Sequence, residues 1–200
     1  MRPSSRTGLL AFVVFLAGQI ACTGQCAREA RRTAATLEEA KRAQAGVYAP
    51  ESFEKGVRLA GEADQQCREE EKRFFLFRSH ASSGKLHKEA RGEARHALRE
   101  GRINQGMARQ EAMNARYAAI QSVEAAKGSL ARTLKAKGAA GVADLTDSLR
   151  RLQEALAALQ AGLDRGDYLA ARDLGDRIIS ESTRLQAAAN RRTLGMPALP

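Results

Sequence analysis

Cys22, Cys26 and Cys67 are the only thiols in this 200-residue chain, and His80, His87 and His96 are its only imidazoles. Thiols can be modified, oxidised in pairs or used as metal ligands, and imidazoles add acid–base chemistry and metal binding. The histidines show no i, i+4 pairing, no HExxH pattern and no cysteine partner at zinc-finger spacing, so no metal site is expected. His80 falls in a predicted loop, and His87 and His96 are expected on the surface or satisfied along a helix. Gly138-Ala139-Ala140-Gly141 lacks the Lys-Ser/Thr of a phosphate loop and reads as an interhelical turn. Arg165-Gly166-Asp167 spells an adhesion tripeptide, but the glycine is placed to end one helix and the aspartate to cap the next. No nucleophile elbow or acid/base pair stands out. Neither catalysis nor a cofactor is expected.

Cys22 has the most specific context. It follows Arg2, Arg6 and an uncharged apolar run of 14 residues, Gly8 to Ala21. A charged start, a short apolar core and a small residue before the cut describe an export signal. The run is too short to cross about 30 Å of hydrocarbon as a helix. Gln19-Ile20-Ala21-Cys22 resembles the bacterial lipoprotein box at three of four positions, Gln19 being the exception. That resemblance makes Cys22 the acylated N-terminus of the mature chain; the alternative is an ordinary cleaved signal near Ala21 to Gly24. Thr23 rather than Asp after the cysteine favours the outer over the inner membrane. Several acyl chains would anchor the body stably. Cys26 and Cys67 then remain, and an exported chain meets an oxidising compartment. They are a candidate disulfide between the N-terminal segment and the second helix. The other reading makes Cys67, on an apolar stripe with Val57 and Ala60, a small buried hydrophobe.

Charge marks a second candidate. The chain carries a formal net charge of +10. Lys85 to Lys137 holds 12 Lys/Arg against 5 Glu and no Asp. On a helical wheel Lys88, Arg91, Arg95, Arg99 and Arg102 share about a quarter of the circumference, with Leu86, Ala90, Ala94, Ala97 and Leu98 opposite. Such a stripe attracts polyanions through its summed field. In a cell envelope these are lipid or lipopolysaccharide phosphates or peptidoglycan carboxylates; nucleic acid fits only if the export reading fails. The plainer reading is a solvated face. Arg73-Phe74-Phe75-Leu76-Phe77-Arg78 crowds Phe74, Phe75 and Phe77 together, more than one helix face can bury. They pack at a bundle end or serve as a partner contact.

The elements that position these residues are helices. Tryptophan is absent, no proline lies between Pro50 and Pro197, and helix formers dominate. The expected fold is all-α, an elongated antiparallel bundle of about five helices. A first helix runs from Ala27 to Val47 with Ala30, Leu37, Ala40 and Val47 on one face, and stops before Pro50. A second carries Phe53, Val57, Ala60, Ala63, Cys67, Phe74 and Phe77 inward. Ser79 to Gly84 reads as a loop. A third starts near Lys85, weakens at Gly101 to Gly106, and continues with Ile103, Met107, Met113, Tyr117, Ile120, Val123, Leu130 and Leu134 as its apolar residues. Leu145, Leu149, Leu152, Leu156, Leu159 and Leu163, spaced 4-3-4-3-4, form a seam that must face another helix. It is read as intramolecular core, with a homo-oligomeric coiled coil as the alternative. A fifth helix runs from Asp167 to Asn190. The chain divides into a signal (1–21), a tether (22–32), a helical domain (33–190) and a tail (191–200). The domain splits into candidate hairpin units at 33–100 and 103–190. Phe53, Val57, Ala60 and Cys67 superimpose on Leu145, Leu149, Leu152 and Leu159 at one offset, as diverged copies would.

Gly46-Val47-Tyr48-Ala49-Pro50-Glu51 before an amphipathic helix resembles an uncharacterised family of bacterial envelope lipoproteins. Its members carry a Tyr-Ala-Pro-Glu junction in a helical-hairpin domain of unknown function. Gly166-Asp167-Tyr168-Leu169-Ala170-Ala171 is similar to a helix start common in that family. The resemblance implies a helical unit behind a lipid anchor and transfers no catalytic residues. Three function classes follow. The first is a non-enzymatic envelope spacer or adaptor that binds another envelope protein or the cell wall. The second is a binding module for anionic lipid or glycan, and the third, least supported, is an enzyme. The oligomeric state is not legible.

Overall fold

Alanine, leucine and charged residues at three-and-four spacing produce helices throughout. A computed structural model of the protein describes residues 5–73 and 79–194, with side chains from Gly24 onward. Among the described residues it is all-α, with antiparallel helices and no strands. The helices are α1 (Ser5–Arg42), α2 (Ala45–Tyr48), α3 (Pro50–Lys72), α4 (Ala81–Lys137), α5 (Ala143–Arg165) and α6 (Tyr168–Thr193), with a 3-10 turn at Ala140–Val142. The chain forms two compact units, Met1–Asn104 and Gln105–Pro200, and α4 supplies residues to both. Phe74, Phe75, Phe77 and the Cys22 side chain lie outside the described residues, as do the side chains of the signal segment and residues 195–200.

In the first unit α4 buries Ser83, His87, Ala90, Ala94, Ala97 and Gly101, again spaced 4-3-4-3-4. Small side chains let backbones approach. A Cβ added at Gly56 of α3 would sit 3.3 Å from the Ala90 carbonyl oxygen and the Ala94 nitrogen. One at Gly101 would sit 3.2 Å from the Ala45 Cα, so Gly101 marks a close approach, not a weak point. Ala40, Ala45, Ala49 and Ala97 form a small buried cluster with Phe53 and Leu98 against it. Polar ties join the helices: Asn104 Nδ2 donates to the Tyr48 carbonyl (2.6 Å), Lys55 pairs with Glu93 (2.6 Å), and the Ser52 hydroxyl donates to Glu100 (2.9 Å).

Several expectations are corrected here. The first helix ends at Arg42, and α2 is a separate turn reached through Gln44 in the left-handed region (φ 57°). Val47 points outward, and the inward positions are taken by Ala45 and Tyr48. Val57 is 48% exposed because Gly56 occupies the tight contact on α4, so the stripe through Val57 is not equivalent to the leucine seam. Residues 24–32, expected as a tether, are helical and bury Cys26. The Ser79–Gly84 loop is shorter than expected, since α4 already starts at Ala81 and runs unbroken through Gly101 and Gly106.

The second unit has a larger apolar core. Leu145, Leu152, Leu159 and Leu163 of α5 pack with Ile178 and Leu185 of α6 and Val123 and Leu130 of α4, and Leu149 and Leu156 flank them. The leucine seam is therefore spent inside the unit. Gly166 (φ 82°) ends α5, its amide donating to Leu163 O, and the Arg165 guanidinium binds Asp167, whose side chain does not cap α6. The glycine stops the helix as expected; the aspartate's capping role is not seen. Gly175 lies so near α4 that a Cβ there would fall 2.8 Å from the Ala115 Cβ. Ile103, Met107, Met113, Tyr117 and Leu134 face outward, and from residue 108 onward Ala108, Ala112, Ala115 and Ala119 hold the inward stripe of α4. Chain spacing alone pointed to the larger residues; close packing selects the smaller ones.

Candidate functional site

Helix α1 brings Cys26, and α3 brings Cys67, to one point in the first unit. The two sulfurs are joined in a disulfide, with Cα atoms 6.4 Å apart and a sequence separation of 41. Both residues are buried. Disulfides persist in oxidising compartments, which points toward export. Among the described residues no helix is long and apolar enough to cross a membrane.

Helix α4 adds His87 from a third direction. The residue is 1% exposed, and one ring nitrogen and the two sulfurs lie within 4.8 Å of one another. Neither ring nitrogen has a hydrogen-bond partner. Asp64 Oδ1 stands 3.6 Å from Nε2, beyond hydrogen-bond length. His80, just before α4, also has both ring nitrogens buried and unpartnered, while its carbonyl accepts from the Ser83 hydroxyl (3.1 Å) and the Gly84 amide (2.9 Å). A cavity of about 10 Å³ beside the disulfide is lined by Cys26, Glu29, His80 and His87 among others, and Cys67 is not in its lining. That is room for roughly one water or one ion. Each buried polar group left unpaired costs about 1–3 kcal/mol, so the concentration of four such nitrogens beside two sulfurs calls for a cause.

The electrostatics are set by one ion cluster. Arg91 pairs with Glu29 (2.7 Å) and donates to the Thr33 hydroxyl (3.2 Å), and Arg32 also reaches Glu29 (3.1 Å). Burial acts to raise the Glu29 carboxyl, but the Arg91 hydrogen bond and charge, with Arg32, outweigh it and hold the group below the usual carboxylate range. Burial, helped by Arg91 and opposed by Asp64 and Glu29, pushes His87 below the usual imidazole range. His87 is therefore neutral at neutral pH and keeps a free lone pair. Among the described residues, Cys26, Cys67 and His87 are the group close enough to share a metal ion, which the two cysteines could ligate only with the disulfide reduced, and His80 lines the adjoining cavity.

His87 corrects the expectation of a surface or satisfied residue. It continues the Ala90, Ala94, Ala97 stripe one step toward the N-terminus, a signal present in the spacing. His96 is on the surface and meets the Ser52 hydroxyl (3.0 Å). Of the basic stripe, Lys88, Arg95, Arg99 and Arg102 are exposed. Arg91 is not part of that face, since Glu29 and Thr33 draw it toward α1. In the second unit a groove of about 520 Å³ lies between α5 and α6, with Leu145, Leu152 and Leu185 in its lining and Arg151, Glu181 and Arg184 beside them.

Comparison with models of protein families, with characterised proteins and with solved structures finds no match.

Proposed function

We propose that this protein is an exported, non-enzymatic helical spacer or adaptor, held at a membrane through acylated Cys22 and binding another envelope protein or the cell wall. The observation that carries the reading is the Cys26–Cys67 disulfide, which begins four residues after Cys22. A cross-link there needs an oxidising compartment and starts the folded body next to the anchor. The outer membrane is the favoured location, on Thr23. The decisive experiment is intact mass and fatty-acid labelling of the wild type and Cys22→Ala. A labelled wild type and an unlabelled variant are expected. An unlabelled, uncleaved wild type would overturn both anchor and export.

A second reading is favoured by the exposure of Lys88, Arg95, Arg99 and Arg102. None has an ion-pair partner among the described residues. They line about 21 Å of α4 at 1.5 Å per residue. Cations near an anionic surface contribute about 1 kcal/mol each, so the face would hold anionic lipid or glycan. Reversing Arg95 and Arg99 to Glu should lower retention on anionic liposomes or sacculi at least tenfold at low salt. Unchanged, salt-insensitive retention rules this reading out and leaves the adaptor, whose partners would survive high salt and depend on Phe74, Phe75 and Phe77.

A further inference from the structure

We propose that Cys26, Cys67 and His87, with His80 as fourth ligand, form a zinc site that opens when the Cys26–Cys67 disulfide is reduced. The inference is independent of Cys22 and of the anchor.

Three observations converge on it. The sulfurs and a His87 ring nitrogen already lie within 4.8 Å of one another. In a tetrahedral zinc site, bonds of about 2.0–2.3 Å put ligand atoms about 3.3–3.8 Å apart, so small side-chain adjustments suffice once the sulfurs part. Next, the ring nitrogens of His87 and His80 are buried without any hydrogen-bond partner. A core imidazole with both nitrogens unpaired is costly, and a metal bond removes the cost for the ligating atom. Last, the cavity lined by Cys26, His80 and His87 holds about 10 Å³, the room one ion or one water requires. His80 immediately precedes α4, and its buried ring already lines that cavity. Thiolate and imidazole together favour a borderline cation such as zinc over magnesium or calcium.

A dithiol reductant of the thioredoxin class gives two electrons and two protons to the Cys26–Cys67 bond, and its own sulfurs become joined. The bond breaks to two thiols. Zinc then replaces the two thiol protons, which leave to solvent. In the reverse direction a disulfide oxidant of the thioredoxin-fold class takes the two electrons from the two thiolates and two protons from solvent, becomes a dithiol, re-forms the Cys26–Cys67 bond and releases the metal, so the site reports redox state by taking up or releasing zinc.

The test uses the full chain, reduced anaerobically with a phosphine, and zinc or cobalt(II) as the probe. Native mass spectrometry should show one zinc gained and two protons lost in the reduced chain, and no zinc in the oxidised one. Cobalt(II) should give the thiolate charge-transfer and tetrahedral d–d bands, bleached by zinc. In competition with a chromophoric chelator, Cys26→Ser or Cys67→Ser should abolish binding. His87→Ala should weaken it at least a hundredfold and His80→Ala at least tenfold, with Cys22→Ala unchanged. Circular dichroism checks that each variant is folded, and the wild-type mass measurement needs no variant. Failure of the reduced wild type to take zinc would overturn the site and leave a water as the tenant of the cavity. Binding that survives loss of both His87 and His80, or that vanishes in Cys22→Ala, would equally overturn it.

Discussion

The second unit buries Leu145, Leu152, Leu159, Leu163, Ile178 and Leu185, whereas the first buries Ala40, Ala45, Ala90, Ala94 and Ala97 together with Thr33, Ser83 and His87. A fully buried leucine contributes about 1.5–3 kcal/mol of transfer free energy, and an alanine methyl well under half of that. The first unit therefore has less hydrophobic drive for the same helical architecture. It has instead a covalent link, the Arg91–Glu29–Thr33 cluster and backbones brought close by Gly56 and Gly101. Alanine packing sets the helix approach within each unit, while what stabilises that approach changes from a cross-link in the first unit to leucine burial in the second.

Leu159→Ala should have the largest effect. Leu159 is wholly buried and also approaches the site of Gly175. Its truncation should cost about 2–5 kcal/mol through lost transfer energy and the cavity left behind. Amide exchange should read the loss in α5 and α6. Equal loss in α1 and α3 would mean that the chain unfolds as one cooperative body and that the division into two differently stabilised units is wrong.

Reducing the disulfide, or Cys67→Ser, is the counterpart for the first unit. A closed loop of about 40 residues carries roughly 4 kcal/mol in the chain-entropy picture, and measured losses commonly fall between about 2 and 4. The loss should appear in α1 and α3 amides. It should also shrink when zinc is added to the reduced wild type and stay in full in Cys67→Ser. Reduction with no change in exchange would place the stability of this unit in its alanine contacts alone.

How far these differences were legible follows from side-chain size. Leu145 to Leu163 announce a buried stripe because nothing else at that spacing tolerates water, and the break at Gly166 is fixed by its positive φ. On α4 the spacing of Ile103, Met107, Met113 and Tyr117 was misleading, since these large residues face outward and alanines face inward. A helix with alanine on one side and mixed apolar residues on another leaves two candidate faces, and only the approach of a neighbour such as Gly175 decides between them. Arg91 was lost from the basic face for a related reason: its partner Glu29 lies 62 positions away on α1. The Cys26–His87 proximity is likewise nonlocal, and metal-motif spacings describe ligands close in sequence. The outward apolar residues of α4 and the groove between α5 and α6 have no occupant that their chemistry specifies.

His87→Leu sharpens the contrast at smaller scale. If His87 serves only to fill the core of the oxidised protein, an apolar residue of similar volume removes two unpaired nitrogens. Such replacements are near neutral or stabilising. Thermal unfolding of the oxidised chain should change by less than about 1 kcal/mol, or rise in midpoint, while zinc binding by the reduced chain weakens at least a hundredfold. A drop of several kcal/mol would instead show that the imidazole has a partner in the native protein, a buried water being the first suspect.

The smallest effect expected is a pH dependence in the second unit. Arg192 donates to both carboxylate oxygens of Asp144, each at 2.7 Å, and to the Gly141 carbonyl (3.0 Å), tying α6 to the start of α5. The Arg192 hydrogen bonds are the main reason that the Asp144 carboxyl lies below the ordinary aspartate range. A depressed folded pKa means that the unfolded chain binds the proton first. The contribution is therefore complete above the unfolded aspartate pKa and is lost as pH falls through the folded one. The Asp144 side chain is 65% exposed, so solvent screens the pair, and bridges of this kind contribute about 0.2–1 kcal/mol. Asp144→Asn should therefore lower the stability of α5 and α6 by less than about 1 kcal/mol at pH 7. Variant and wild type should converge in acid, below the folded pKa of Asp144. A gap that persists in acid would assign the effect to the helix N-terminus, where Asp144 sits in the first turn of α5, or to lost geometry, and not to the ion pair.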